Sequence, residues 1–126
     1  MSVLTGRAVA HAQHSRCEEI RANLALAHTQ LRRADAQALA LVEQALARAQ
    51  ELIDETSARL YQPEVHECRA RLARLHGNAS GARSELDAAR RLYAEMGATA
   101  QVERLARAIE GCAAMLPSSQ RQAEQS

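Results

Sequence analysis

The sequence predicts an all-α protein made of stacked antiparallel helical hairpins, and three observations carry that expectation. Ala38, Val42, Ala45, Ala49 and Leu52 recur, 44 residues further on, as Ala82, Leu86, Ala89, Tyr93 and Met96. Each set follows i, i+4, i+7, i+11, i+14, one face of an α-helix, and a fixed displacement between two such faces is the signature of a stacked helical repeat. Leu24 and Leu31 map onto Cys68 and Leu75 at the same displacement. The composition agrees: among 126 residues there is no Phe, no Trp and only Tyr61 and Tyr93, while alanine, the strongest helix former, is everywhere. Gly and Pro fall where breaks are wanted, with Pro63 at an entrance, Gly77 and Gly81 around a turn, Gly97 after a stripe ends and Pro117 near the end.

The elements follow in order. A short helix covers about Val3 to Gln13, and a second runs from Arg16 to Arg33 with Cys17, Ile20, Leu24, Ala27 and Leu31 on one face. The third spans Asp35 to about Glu55, with Asp35 placed to cap it. Leu39, Leu46 and Ile53 widen its apolar stripe, so it belongs between neighbours. A break at Thr56 to Ala58 leads to a helix from about Tyr61 to His76, where Pro63 is tolerated because the first turn needs no amide donor. Val65, Cys68, Leu72 and Leu75 form its expected buried line. Gly77 turns the chain, Asn78 or Ser80 caps the helix that runs to Met96, and Gly97 stops it. Thr99 is placed to cap the last helix, whose apolar face is Val102, Leu105, Ala106, Ile109 and Cys112. Residues 1–113 therefore read as one helical repeat domain, and residues 114–126, with few apolar side chains, as a disordered tail.

Composition bounds the function. The formal net charge is +1, and every basic side chain other than His is Arg. No stretch approaches the roughly twenty apolar residues that span a bilayer, and no basic start leads into an apolar signal segment, so a cytoplasmic protein is expected. Cys17, Cys68 and Cys112 are far apart, odd in number and at apolar helical positions, which reads as reduced, buried thiols. His11, His14 and Cys17 fall at i, i+3, i+6 with Glu18 one turn past His14, yet helical metal sites draw ligands from a facing helix and none is identifiable. That group reads as a surface face. His66 and Cys68 point to different sides of their helix and make a poor base and nucleophile.

The Arg-rich run from Arg69 to Arg91 raises nucleic-acid binding as a third choice. Glu67 with Arg71, Asp87 with Arg91, and Glu103 with Arg107 nevertheless sit at i, i+4 with the acid first, the orientation that stabilises helices. A phosphate-tracking surface needs an unpaired positive excess, which a nearly neutral chain lacks. The chain also has no Gly-rich phosphate loop, no His-Glu-x-x-His and no paired cysteines at zinc spacing, so no enzyme, metal or cofactor is expected.

The stretch Glu55 to Asn78, ETSARLYQPEVHECRARLARLHGN, followed by Ala89 to Ile109, ARRLYAEMGATAQVERLARAI, resembles the tetratricopeptide-type repeats that close large bacterial signalling proteins. In that family the repeats are joined to nucleotide-cyclase or DNA-binding regulatory modules through a signal-transduction ATPase. The resemblance covers about residues 50–110. Within it Ala70 takes the small-residue position where the two helices of a hairpin touch, Gly77 the turn, and Ala82, Leu86 and Ala89 the return-helix positions. The period of 44 exceeds the usual ~34, which implies longer helices. In the first hairpin Leu26 and Arg33 stand where a small residue and Gly are expected.

The resemblance implies an α-solenoid fragment whose first helices line a concave, partner-facing side. Asn23, Gln30, Glu67, Arg71 and Arg74 are then the expected contacts for a protein or peptide partner. A non-catalytic interaction scaffold of a signalling protein is the leading expectation. The alternative is a helical homodimerisation module, since the short helix from Val3 to Gln13 looks like the return half of a hairpin whose first half is missing, leaving an apolar N-terminal edge for a second copy.

Overall fold

The computed structural model describes residues 2–114, with side chains described from 14 to 111. Five helices account for most of this chain: α1 Ser2–Arg33, α2 Ala36–Thr56, α3 Gln62–Leu75, α4 Ala79–Glu95 and α5 Thr99–Ala114, with one 3-10 turn, Arg59–Tyr61, before α3. The chain divides into two compact units, Met1–Val65 and His66–Ser126. The expected tail lies outside the described residues, apart from Ala114.

In the first unit α1 and α2 pack on one another. The two helices expected before Arg33, a short one from Val3 to Gln13 and a second from Arg16, are in fact one continuous helix of 32 residues. No Pro or Gly lies between Gln13 and Arg16 to interrupt it, and His14 and Ser15 carry on the backbone ladder. A two-residue link follows. Ala34 takes a left-handed conformation, φ 57°, and its amide closes on the carbonyl of Gln30 at 3.1 Å. Asp35 is then the N-cap of α2, its carboxylate accepting from the amide of Ala38 at 2.7 Å. Ile20, Leu24, Ala27 and Leu31 of α1 are buried, as are Ala38, Val42, Ala45, Ala49 and Leu52 of α2. Leu46 and Ile53 are buried too, so α2 is apolar on two sides as its sequence requires. Ser57, φ 58°, ends α2, and Pro63 sits buried in the first turn of α3.

The second unit holds most of α3 with α4 and α5. Its core gathers Ala70 from α3, Ala82, Leu86 and Ala89 from α4, and Leu105 from α5, with Ala73, Tyr93, Ala108 and Ile109 packed against them. Gly77 and Gly97 both adopt the left-handed region, φ 77° and 76°. Each turn closes with the same pair of bonds, from Asn78 to the carbonyl of Ala73 and from Gly77 to that of Arg74 in one, from Ala98 to Tyr93 and from Gly97 to Ala94 in the other. That pairing requires a positive φ at the glycine, the reason glycine stands there. Asn78 supplies the cap of α4, accepting from Gly81 at 2.9 Å. Thr99 does not cap α5 but is its first residue, and the carbonyl of Ala98 takes the first helical bonds.

The internal repeat holds in the middle of each helix and loosens at the ends. Ala38 with Ala82, Val42 with Leu86 and Ala45 with Ala89 are all buried. Tyr93 is only half-buried where Ala49 is fully buried, and Met96, at 42% exposure, does not repeat Leu52. Leu75, expected in the buried line of α3, is 46% exposed because it is the last residue of the helix, at the turn; Leu72 is half-buried. The turns keep a different spacing from the stripes. Gly77 lies 43 residues after Ala34, and Asn78 43 after Asp35, one fewer than separates the buried faces. The two return helices therefore start one residue, about 100° of rotation, apart relative to the faces they bury.

Candidate interaction surface

The five expected contact residues fall in two groups. Asn23 and Gln30 belong to α1, are half-buried, and spend polar atoms locally: Asn23 donates to the carbonyl of Glu19 at 2.9 Å, and Gln30 accepts from Arg33 at 3.4 Å. Glu67, Arg71 and Arg74 follow one another at i, i+4, i+7 on α3 and share a face of that helix. Arg71 and Arg74 are exposed, whereas the side chain of Glu67 is only 19% exposed.

Glu67 is a junction of the second unit. One carboxylate oxygen accepts from the hydroxyl of Tyr93 on α4 at 2.7 Å, and the other takes the guanidinium of Arg104 on α5 at 2.8 Å. Three helices are thus joined through one carboxylate, beside the apolar cluster of Ala70 and Leu105. With both oxygens occupied, Glu67 is a structural acceptor. Its sequence signal points only to a neighbour one turn away.

Histidines form a second set of ties. His66 lies 2.7 Å from Glu85 and joins α3 to α4, His28 lies 3.0 Å from Glu64 and joins α1 to α3, and His14 lies 3.1 Å from Glu18 within α1. Cys68 is fully buried, so its thiol is closed to a substrate, while Cys17 is only half-buried. Among the described residues no three His, Cys, Asp or Glu side chains come together as metal ligands; the side chains of His11 and Cys112 lie outside them.

Several arginines of the Arg69 to Arg91 run are also committed. Asp87 takes Arg90 at 2.7 Å and Arg91 at 3.0 Å. The hydrogen bond from Arg90, then the charge of Arg91, holds the Asp87 carboxyl below the usual aspartate range against the opposing effect of burial. In the first unit Arg48 binds Glu19 at 3.0 Å and Glu51 at 3.2 Å, and those bonds raise its pKa further. An open notch of about 320 Å³ lies between Ile53, Asp54, Ser57, Arg59 and Gln62. Its amide is spent internally, since Gln62 and Gln50 exchange hydrogen bonds at 2.7 and 2.8 Å.

The geometry is that of helix surfaces held by apolar clusters and by carboxylates that bind arginine. No helix among the described residues is long and apolar enough to cross a membrane. Comparison with protein-family models, with curated proteins and with solved structures finds no match for the chain.

Proposed function

We propose that the protein is a non-catalytic scaffold for protein-protein interaction, a tetratricopeptide-like repeat segment of a bacterial signalling protein working in the cytoplasm. The observation that supports this reading most is internal repetition: the left-handed residues Ala34 and Gly77, the Asx caps Asp35 and Asn78, and two buried stripes recur at spacings of 43 to 44 residues. Repeats of this kind present side chains on a rigid helical frame. Arg71 and Arg74 are the contacts to test on the second unit, because they are exposed on the same side of α3 as Glu67 without being placed in the Ala70 cluster.

The experiment replaces Arg71 and Arg74 together by Ala and keeps Glu67, whose loss would release Tyr93 and Arg104. Melting should be nearly unchanged, and cross-linked capture of partners from lysate of the source cell should fall. Undiminished capture by the folded variant would remove α3 as the contact surface. A separate pair, Asn23→Ala with Gln30→Ala, tests α1 in the same way.

A further inference from the structure

Helix α1 offers a self-complementary outer face. Its buried stripe is Ile20, Leu24, Ala27 and Leu31, each at most 3% exposed. At about 100° per residue, the side of the helix turned directly away from that stripe carries Glu18, Ala22, Ala25, Thr29 and the pair Arg32 and Arg33, with Leu26 alongside. All of these are exposed, Leu26 at 42%. Acid stands at one end, Glu18 with the neighbouring Glu19, and base at the other. Between them Ala22, Ala25, Leu26 and Thr29 form an uncharged strip two turns long, with Arg21 off to one side.

That order of charge selects its own partner. Laid antiparallel on a second copy, with the two-fold axis between Ala25 and Leu26, α1 sets Glu18 against Arg33 of the copy, Glu19 against Arg32, and Leu26 against Ala25. Symmetry makes each pairing twice. A parallel copy would set like charge against like. The present partners of these groups are exposed surface pairs: His14 for Glu18, Arg48 for Glu19, and Asp35 with Gln30 for Arg33. Pairs of that kind are worth little and are readily exchanged.

We infer that the outer face of α1, from Glu18 to Arg33, docks a second copy of this chain as an antiparallel two-fold pair. This surface is distinct from the N-terminal edge proposed from the sequence, and it does not rest on the scaffold reading. It spans about 22 Å, short for an interface, so the pair is weak, with a dissociation constant on the order of 10⁻⁴ M.

Sedimentation velocity on the full chain, from low micromolar to near-millimolar concentration, tests it by charge exchange. Wild type should shift toward a dimer as concentration rises. Glu18→Arg alone and Arg33→Glu alone should each weaken association about tenfold, since both symmetric contacts become repulsive. An equimolar mixture of the two variants should associate again, because every acid then meets a base, and the double variant should behave as wild type. Leu26→Glu, in the centre of the strip and away from the helix end, should abolish the dimer with melting unchanged. A wild type that is monomeric throughout, association indifferent to both charge reversals, or a mixture that fails to recover would each overturn the inference.

Discussion

Ala34 and Glu67 show how much a single residue can decide here. Ala34 occupies a left-handed conformation that costs a side-chain-bearing residue about 1 kcal/mol, at the position where the second hairpin has Gly77. Ala34→Gly should therefore raise stability by roughly 0.5–1 kcal/mol, the relief of strain exceeding the added freedom of the unfolded chain; urea denaturation measures it. Glu67→Ala should act the other way. It leaves a phenol and a guanidinium without their shared acceptor, a loss of about 1–3 kcal/mol. Tyr93→Phe should then cost less in the Glu67→Ala background than in wild type, and equal costs in the two backgrounds would mean that the hydroxyl contributes nothing through this contact. None of this was legible at sequence level. A left-handed residue without glycine carries no marker, and Tyr93 lies 26 residues from the carboxylate that binds it.

Among elements, α3 is most constrained at Ala70, a small side chain closed in by residues of both α4 and α5. Ala70 is 1% exposed in the cluster with Ala82, Leu86, Ala89 and Leu105. Ala70→Arg should cost well over ~1 kcal/mol through overpacking and a buried charge, whereas Gln37→Arg, on an exposed position of α2, should stay within about 0.5 kcal/mol. Equal thermal melting of the two would contradict that packing. Ala70 could be picked out beforehand because a small residue, a turn glycine and a buried stripe coincide around it. The cap at Asp35 was equally legible, since a short polar side chain before an apolar period has a defined local role; the same signal left Asn78 and Ser80 as alternatives for α4 and misplaced a cap at Thr99. The continuity of α1 was not, because a helix without a breaker and two helices with a weak joint have the same periodicity. Leu75 and Met96 failed for a related reason: a stripe can be extended on paper past the point where its neighbours stop.

For the molecule as a whole, periodicity made the all-helical character and most buried residues readable, because burial on a helix repeats every turn. The surface was less readable. Asp87 with Arg91 was legible from its i, i+4 spacing, but other charges find partners by geometry that no spacing encodes, as with Arg48 and Glu19, 29 residues apart. The proposed contact residues on α1 and α3 accordingly differ in exposure: Asn23, Gln30 and Glu67 are half-buried, and Arg71 and Arg74 are exposed. Tyr61 belongs to the first unit and Tyr93 to the second, and the chain has no Trp. Each unit thus carries its own intrinsic chromophore, and Tyr93 differs from Tyr61 in donating its hydroxyl to a carboxylate, a contact that quenches phenol emission and is released when α3 and α4 part. With Tyr93→Phe the remaining fluorescence comes from the first unit alone. Comparing the two proteins by ultraviolet light, with no dye or label, reads whether the halves of the chain unfold in one step or two.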